Sequence, residues 1–473
     1  MTPTLTLAEV AFHERGVRLR MPFRFGVVTL REAPQTFVGA RIRLADGREG
    51  WGMAAEVLAP KWFDKSPDLT NEENFDQLRA ALAIAASAYR DIDTPTTLFG
   101  LHAAAAPAVS AAAAARGLPP LVASFGPALL DRAILDAVLR LEGLSVFEAA
   151  KRNLFGLDAR LTPDLAGFDV DAFLATLAPS ASIALRHTVG MVDPIRDADL
   201  AAADRLNDGL PETLEEVVKA TGVTHFKLKV GGDLAADIDR LLAIAGVIDT
   251  LPSYKATLDG NEQYRDVEGV VALWRAIGET PGLAKLREAI LFIEQPIVRT
   301  AALGADIGAL AALKPVEIDE SDATLDAFPT AKALGYEGVS SKSCKGFYRS
   351  LLNRARCAWW NAQEGRERYF MSAEDLTTQA GLGVQQDLAL ATLIGCTHVE
   401  RNGHHYVNGF EGTPESEQAA FLDAHPDLYH RADGTVRVTV EDGRLAIGSL
   451  ATPGLGSKIV PSFDGVARVE YEC

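Results

Sequence analysis

Five short apolar runs in this sequence each end on a residue able to hold a metal or move a proton. They are His225-Phe226-Lys227-Leu228-Lys229, Thr257-Leu258-Asp259-Gly260-Asn261, Leu291-Phe292-Ile293-Glu294-Gln295-Pro296, Val316-Glu317-Ile318-Asp319-Glu320-Ser321 and Gly338-Val339-Ser340-Ser341-Lys342. Their charged ends are 30, 35, 25 and 23 residues apart (229 to 259, 294, 319 and 342), which suits one strand and one helix per step. Parallel strands closed into a barrel carry their chemistry at their carboxyl ends, so Asp259, Glu294 and Asp319 are expected to converge. Three converging carboxylates repel one another unless a hard cation neutralises them, and oxygen ligation of this kind suits Mg²⁺ or Mn²⁺. Lys227 and Lys229 are two apart on one strand and so share a face. A lysine beside a divalent cation and a second cation can have its pKa lowered and act as a general base. Lys342, four strands further round, is expected to face Lys229 across the metal, with one base on each side of a bound substrate.

The chain that must position these groups has 473 residues, enough for a barrel of about 250 residues and a second domain. The alternating runs Val17–Arg20 and Thr36–Leu44, joined through Asp46-Gly47 to Glu49-Gly50-Trp51-Gly52, read as an antiparallel meander. Helical periodicity follows between about 70 and 150, clearest at Leu130, Ala133, Ile134, Ala137, Val138 and Leu141. From about 180 the rhythm changes to strands alternating with amphipathic helices. Ile238, Leu241, Leu242 and Ala245 follow the helical template, as do Val267, Val270, Val271 and Trp274. Further strands are expected at Ile183–Thr188, Arg368–Met371 and Thr397–Glu400. The fold class predicted is α/β, a modified (β/α)8 TIM barrel spanning 175–435, with an α+β capping domain over 1–165 completed by 440–473. No GxGxxG or Walker pattern points to an open doubly wound sheet instead.

The bulk properties narrow the partners. A net charge of −18 disfavours nucleic acid and anionic membrane. The four cysteines, Cys344, Cys357, Cys396 and Cys473, have no CxxC spacing, and the start of the chain has no signal-peptide pattern, so a cytoplasmic protein is expected. The Ala-rich tract at 103–115 contains Pro107 and Ser110 and few large apolar side chains, which disfavours a membrane span. Cys396, His398, His404 and His405 match no standard zinc spacing.

The motifs taken together resemble the enolase superfamily, in its muconate-lactonizing-enzyme-like subgroup (mandelate racemase/muconate lactonizing enzyme family). The resemblance rests on the KxK at Lys227–Lys229, the DGN at Asp259–Asn261, the EQP at Glu294–Pro296, the DES at Asp319–Ser321, Lys342 with Lys345-Gly346 after it, and a closing PGLG at Pro453–Gly456. It implies Mg²⁺ on Asp259, Glu294 and Asp319, an acid/base pair in Lys229 and Lys342, enolate stabilisation by Lys227, and support from Asn261 and Glu320. The reaction implied begins with removal of the proton α to a carboxylate. The seventh-strand run Phe370–Asp375 lacks the His that mandelate-racemase-like members use as a base. The eighth-strand run His398–Asn402 lacks the DxD with which dipeptide epimerases hold an ammonium. Capping loops and strand ends make Glu56, Phe25, Phe23 and Glu400 candidate substrate contacts.

Racemisation or epimerisation of a small-molecule carboxylate is therefore the leading expectation. A lyase or cycloisomerase outcome at the same site is the alternative, followed by a Schiff-base barrel using Lys342 and a non-catalytic barrel. Substrate identity and oligomeric state, a homo-oligomer included, are left open by the sequence. Extra sequence around 64–120 and 190–211 is of a kind that often covers or reshapes a pocket.

Overall fold

The computed structural model describes residues 2–25, 28–463 and 466–472, with nothing said of the side chains of Phe25 and Val28. Strands β1 (Leu5–Phe25), β2 (Val28–Leu44) and β3 (Glu49–Val57) form the expected antiparallel meander. Gly47, at φ +92°, makes the β2–β3 turn, and the Arg48 N–H donates to the Asp46 carboxylate at 3.0 Å. Alternation buries Val38, Ala40, Ile42 and Leu44 on one face of β2.

Helices α1 (Asn71–Arg90) and α3 (Pro120–Glu142) pack on this sheet, and α2 (Leu98–Ala115) packs against both of them. Thr70 and Glu73 cap α1 reciprocally. By length and composition α2 could cross a membrane. In the fold it packs Leu98, Leu101, Ala105, Val109 and Ala113, one stripe at helical spacing, into the core shared with α1 and α3.

Eight parallel strands build the second domain: β4 (Ser182–Val189), β5 (His225–Lys229), β6 (Lys255–Asp259), β7 (Ile290–Glu294), β8 (Val316–Ile318), β9 (Gly338–Ser341), β10 (Phe370–Ala373) and β11 (His398–Glu400). Their order runs from β10 back through β4 to β11, so the eighth strand pairs the first as a barrel requires. Strands β10 and β11 lie side by side at the seam. The barrel floor is closed by Phe292 and Phe370, with ring centroids 5.0 Å apart. Gly338 makes room for them, since a Cβ there would sit 2.5 Å from the Phe370 ring.

Outer helices bury the stripes that periodicity suggests, with one shift. Helix Leu234–Ile248 turns Leu241, Ile244, Ala245 and Ile248 inward and leaves Leu242 37% exposed. A 3.6-residue repeat admits either neighbour of a stripe, and packing on the barrel selects Ile244.

After the hairpin β12 (Tyr429–Ala432) and β13 (Thr435–Val438), strand β14 (Arg444–Ala446) runs antiparallel against β4. The stretch 440–450 thus joins the barrel, and the return to the capping domain begins near Pro453. There the Leu455 N–H donates to Asp136 at 2.8 Å, Arg140 donates to the Ser457 carbonyl at 2.8 Å, and β15 (Arg468–Val469) pairs with β1.

Arginines fasten the two domains at the barrel mouth. Arg20 of β1 grips Asp208 with two bonds of 2.5 and 2.8 Å and donates to the carbonyls of Leu210, Pro211 and His405, which ties the long 190–211 segment to the cap. Arg299 holds Glu262 and donates to the carbonyls of Trp62 and Phe63 at 2.8 and 2.9 Å. The loop carrying Trp62 is thereby drawn over the strand ends.

Candidate active site

Register places the strand ends side by side: Lys229 opposite Asp259, and Asp259 opposite Glu294. The residues that follow leave ordinary strand geometry, with φ of 41° at Asn261, 67° at Glu262 and 29° at Gln295. Non-glycine residues hold positive φ only where surrounding contacts require it. At Gln295 those contacts are explicit. Its amide donates to the Ile297 carbonyl and the Ser321 hydroxyl at 2.9 and 2.8 Å, and its oxygen accepts from the Asp319 and Ser321 N–H groups at 2.8 and 3.1 Å. The Gln of the EQP run thus fixes the backbone of the DES run. Gly260 is required because a Cβ there would lie 2.6 Å from Pro296 Cα.

The charges interlock at the centre. Lys227, fully buried, has its ammonium 2.7 Å from Glu294, 2.8 Å from Glu400, and 2.9 Å from both Glu374 and Asp259. Lys229 pairs with Asp259 at 2.5 Å, and Lys342 pairs with Asp319 at 2.7 Å and Glu374 at 2.5 Å. Arg186 of β4 donates to the far oxygen of Glu374 at 2.7 Å. Oxygens of Glu294, Asp319 and Glu374, all buried, lie within 4.8 Å of one another and form a set able to hold a divalent metal. Asp259, expected as the third ligand, stands outside that set. One of its oxygens faces Lys227 and Lys229, and the other accepts the Asn261 N–H at 2.8 Å.

Glu294 Oε2 is buried with no hydrogen-bond partner among the described residues, as suits a ligand atom. Burial, then the charges of Asp259 and Glu374, push the Glu294 carboxyl well above its ordinary range. For Asp319 burial acts upward, but Lys342 and Lys345 outweigh it and hold the carboxyl below the usual range. For Lys227 and Lys342 burial opposes the charge, yet the surrounding carboxylates win and both amines are held well above the ordinary lysine value. That is opposite to the direction expected of a base. A cation on the same carboxylates would act the other way on both amines.

Lys229 and Lys342 enter one cavity from opposite sides of the barrel, over Asp319 and Asn261, beneath Phe23, Leu30 and Trp62 of the capping domain. The Lys342 ammonium sits 5.1 Å from the centroid of the Trp62 ring. Glu400 also lines this cavity, accepting from Lys227, from the Thr188 hydroxyl and from the Asn402 amide at 3.0 Å. Asn261 reaches Glu320 at 3.4 Å. Glu320 is pushed up to about 7 by burial, with Lys65 opposing and Glu262 and Asp319 adding. Glu56 does not line this cavity but stands beside it: its carboxylate accepts from Arg132, Ser343 and Thr378, each at 3.2 Å, in a small space bordered by Lys342 and Glu374. Phe25 ends β1, and its side chain lies outside the described residues.

Two central residues were not singled out from sequence. Glu374 was legible, since Phe370–Glu374 is another short run closing on a carboxylate, 32 residues after Lys342. Arg186 gave no signal, because an arginine inside a strand ordinarily reads as surface. Cys396 and His398 have other neighbours than His404 and His405. Cys396 contacts the Met371 carbonyl, His398 meets Arg186 at 3.0 Å, and the other two pack against His187.

No family model matches the chain, and no curated protein matches it by sequence. Solved structures do match over nearly the full length. The L-Ala-D/L-Glu epimerase of Bacillus subtilis, in a substrate-liganded complex, is 17% identical with a TM-score of 0.58, covering 95% of this chain and 98% of its own. A dipeptide epimerase of Cytophaga hutchinsonii, complexed with Mg and D-Ala-L-Val, is 15% identical with a TM-score of 0.59, covering 99% of each. The muconate lactonizing enzyme of Mycobacterium smegmatis, complexed with muconolactone, is 18% identical with a TM-score of 0.58, covering 98% of this chain and 100% of its own. The chain shares their fold, a capped α/β barrel.

Proposed function

We propose that this chain is an enzyme of the enolase superfamily, in the mandelate racemase/muconate lactonizing enzyme family, that removes the proton α to a carboxylate. The observation that carries this reading is the pair Lys229 and Lys342, entering one cavity from opposite sides above a buried carboxylate set. Glu294, Asp319 and Glu374, with Asp259 beside them, would hold Mg²⁺. The ion would supply positive charge against the negative charge that develops on the substrate carboxylate as its α proton leaves. Lys227 adds a fixed charge from below, and Gln295 holds Asp319 in place.

Two lysines on opposite faces allow removal on one side and return on the other, which gives racemisation or epimerisation of a small carboxylate. A one-base outcome, a lyase or cycloisomerase, is favoured by one asymmetry: among the described residues Lys342 forms ion pairs with two carboxylates, whereas Lys229 forms one, with Asp259. Product analysis separates them, because a new double bond or ring excludes simple epimerisation.

The first test is calorimetric titration of Mg²⁺ into the metal-stripped protein, with Asp319→Ala as control, followed by α-proton exchange in D₂O over a panel of carboxylates. Saturable binding that is lost in the variant is expected, with exchange falling at least about 10²-fold in Lys229→Ala or Lys342→Ala. Full exchange in both lysine variants overturns the acid/base assignment. Failure of the folded wild type to bind Mg²⁺ overturns the metal.

A further inference from the structure

A second cavity, of about 240 Å³, lies between helices α1, α2 and α3, the loop Ala323–Leu325 and the start of the helix Phe347–Glu364. It shares no lining residue with the barrel-mouth cavity.

One end of it is polar and under-satisfied. Tyr348 is 1% exposed, and its hydroxyl makes no hydrogen bond among the described residues. Arg349 donates one bond, to the Asp322 carbonyl at 2.6 Å. Its Nε is buried without an acceptor, and no carboxylate forms an ion pair with it among the described residues. Burial pulls the Arg349 guanidinium below its ordinary value, while the nearby Asp322 carboxylate, which makes no ion pair with it among the described residues, opposes the shift.

Both residues stand in the first turn of an 18-residue helix whose N-cap, Gly346, provides no side-chain acceptor. The first N–H groups of such a helix point outward unpaired and carry partial positive charge. Asp131, the acid in this cavity, is already engaged: it accepts from Tyr89 at 2.7 Å and meets His102 at 2.8 Å. The remaining wall is mostly apolar, with Val109, Ala123, Pro127 and Leu325 beside the hydroxyl residues Ser110, Ser124 and Thr324 and the stem of Lys345. A cavity of roughly 150 Å³ already accepts benzene, so a small ring fits here.

We propose that this cavity is a second ligand site for a compact apolar monocarboxylate. The carboxylate is received by the Arg349 guanidinium, the Tyr348 hydroxyl and the uncapped N–H groups of the helix Phe347–Glu364, while the apolar body lies between α2 and α3. Arginine presents the fork that suits a carboxylate, and the unpaired Nε is part of that fork.

The test is titration of the full chain, in Mg²⁺-containing buffer, with 4-fluorobenzoate followed by ¹⁹F NMR, and with 4-fluorobenzyl alcohol as the uncharged probe. Saturable binding of the acid is expected, at least about tenfold weaker in Arg349→Gln. Blocking is expected in Ala123→Phe, which fills the cavity, and no change in Lys229→Ala, which alters the barrel mouth. Each variant is first matched to wild type by circular dichroism and thermal midpoint, and Arg349→Lys, expected to keep part of the affinity, replaces Arg349→Gln if that chain fails to fold. Binding that survives Arg349→Gln and vanishes in Lys229→Ala places the probe in the barrel mouth and overturns the proposal. So does equal binding of the alcohol, or no saturable binding by wild type.

Discussion

Glu374 is one carboxylate answering three cations, Arg186, Lys227 and Lys342, at 2.7, 2.9 and 2.5 Å. Its neighbours Glu294 and Asp319 complete a compact oxygen set, while Asp259 is occupied by two lysines. This makes the identity of the third metal ligand a measurable question. Glu374→Gln keeps the shape and removes the charge, and Asp259→Asn does the same on the other side. Loss of a group that holds or orients a metal typically costs about 10–100-fold in affinity. Mg²⁺ binding is expected to weaken by that order in Glu374→Gln and by less in Asp259→Asn. The reverse order in parallel calorimetric titrations would return Asp259 to the ligand set. The charged strand ends were readable because each closes an apolar run at a regular βα spacing. Arg186 and the redirection of Glu56 toward Arg132 were not, since both depend on which elements meet, and that information is absent from local periodicity.

The capping elements meet through glycine. At Gly52 on β3 a Cβ would lie 2.1 Å from Ala137 N and 2.3 Å from Ala133 O, so α3 rests directly on the strand backbone. The same α3 carries Arg132, which meets Glu56 and Ser343, so any retreat of the helix is transmitted to the loop that follows Lys342. Overpacking at such a contact costs typically about 1–3 kcal/mol. Gly52→Ala is expected to lower the thermal midpoint by several degrees and to reduce kcat as well, whereas Gly117→Ala, in the exposed α2–α3 turn, should cost less stability and leave kcat unchanged. An unchanged midpoint in Gly52→Ala would show that α3 can shift freely. At this scale the alternating meander and the amphipathic barrel helices were legible from pattern. The demand for glycine at 52 was not, because nothing within β3 records that a helix backbone lies against it.

The chain finishes by crossing from the barrel back to the cap, and His425 stands at that crossing. Its ring is fully buried: Nδ1 meets the Ser449 hydroxyl at 2.9 Å, and Nε2 accepts the Lys458 N–H at 3.2 Å. The PGLG turn signalled the return, but its pinning on either side by a histidine 24 residues before Ser449 and 33 before Lys458 could not be read from spacing. An accepting Nε2 cannot carry a proton without losing that bond. Burial, with Asp427 opposing and Lys458 adding, lowers the imidazole to about 4. The sign follows: the unfolded ring titrates near 6.5 and the folded ring near 4, so between these values the unfolded state binds more protons. The contribution of His425 is therefore complete above about pH 6.5 and is lost as pH falls toward 4. Limited proteolysis across pH 7 to 4.5, with an acid-tolerant protease and rates normalised to an unstructured peptide, should show cleavage rising within 449–463. His425→Asn, which can still accept at one position but does not titrate, should flatten that rise while raising cleavage at pH 7. A wild-type profile unchanged across the range would mean that the crossing is held without the neutral ring.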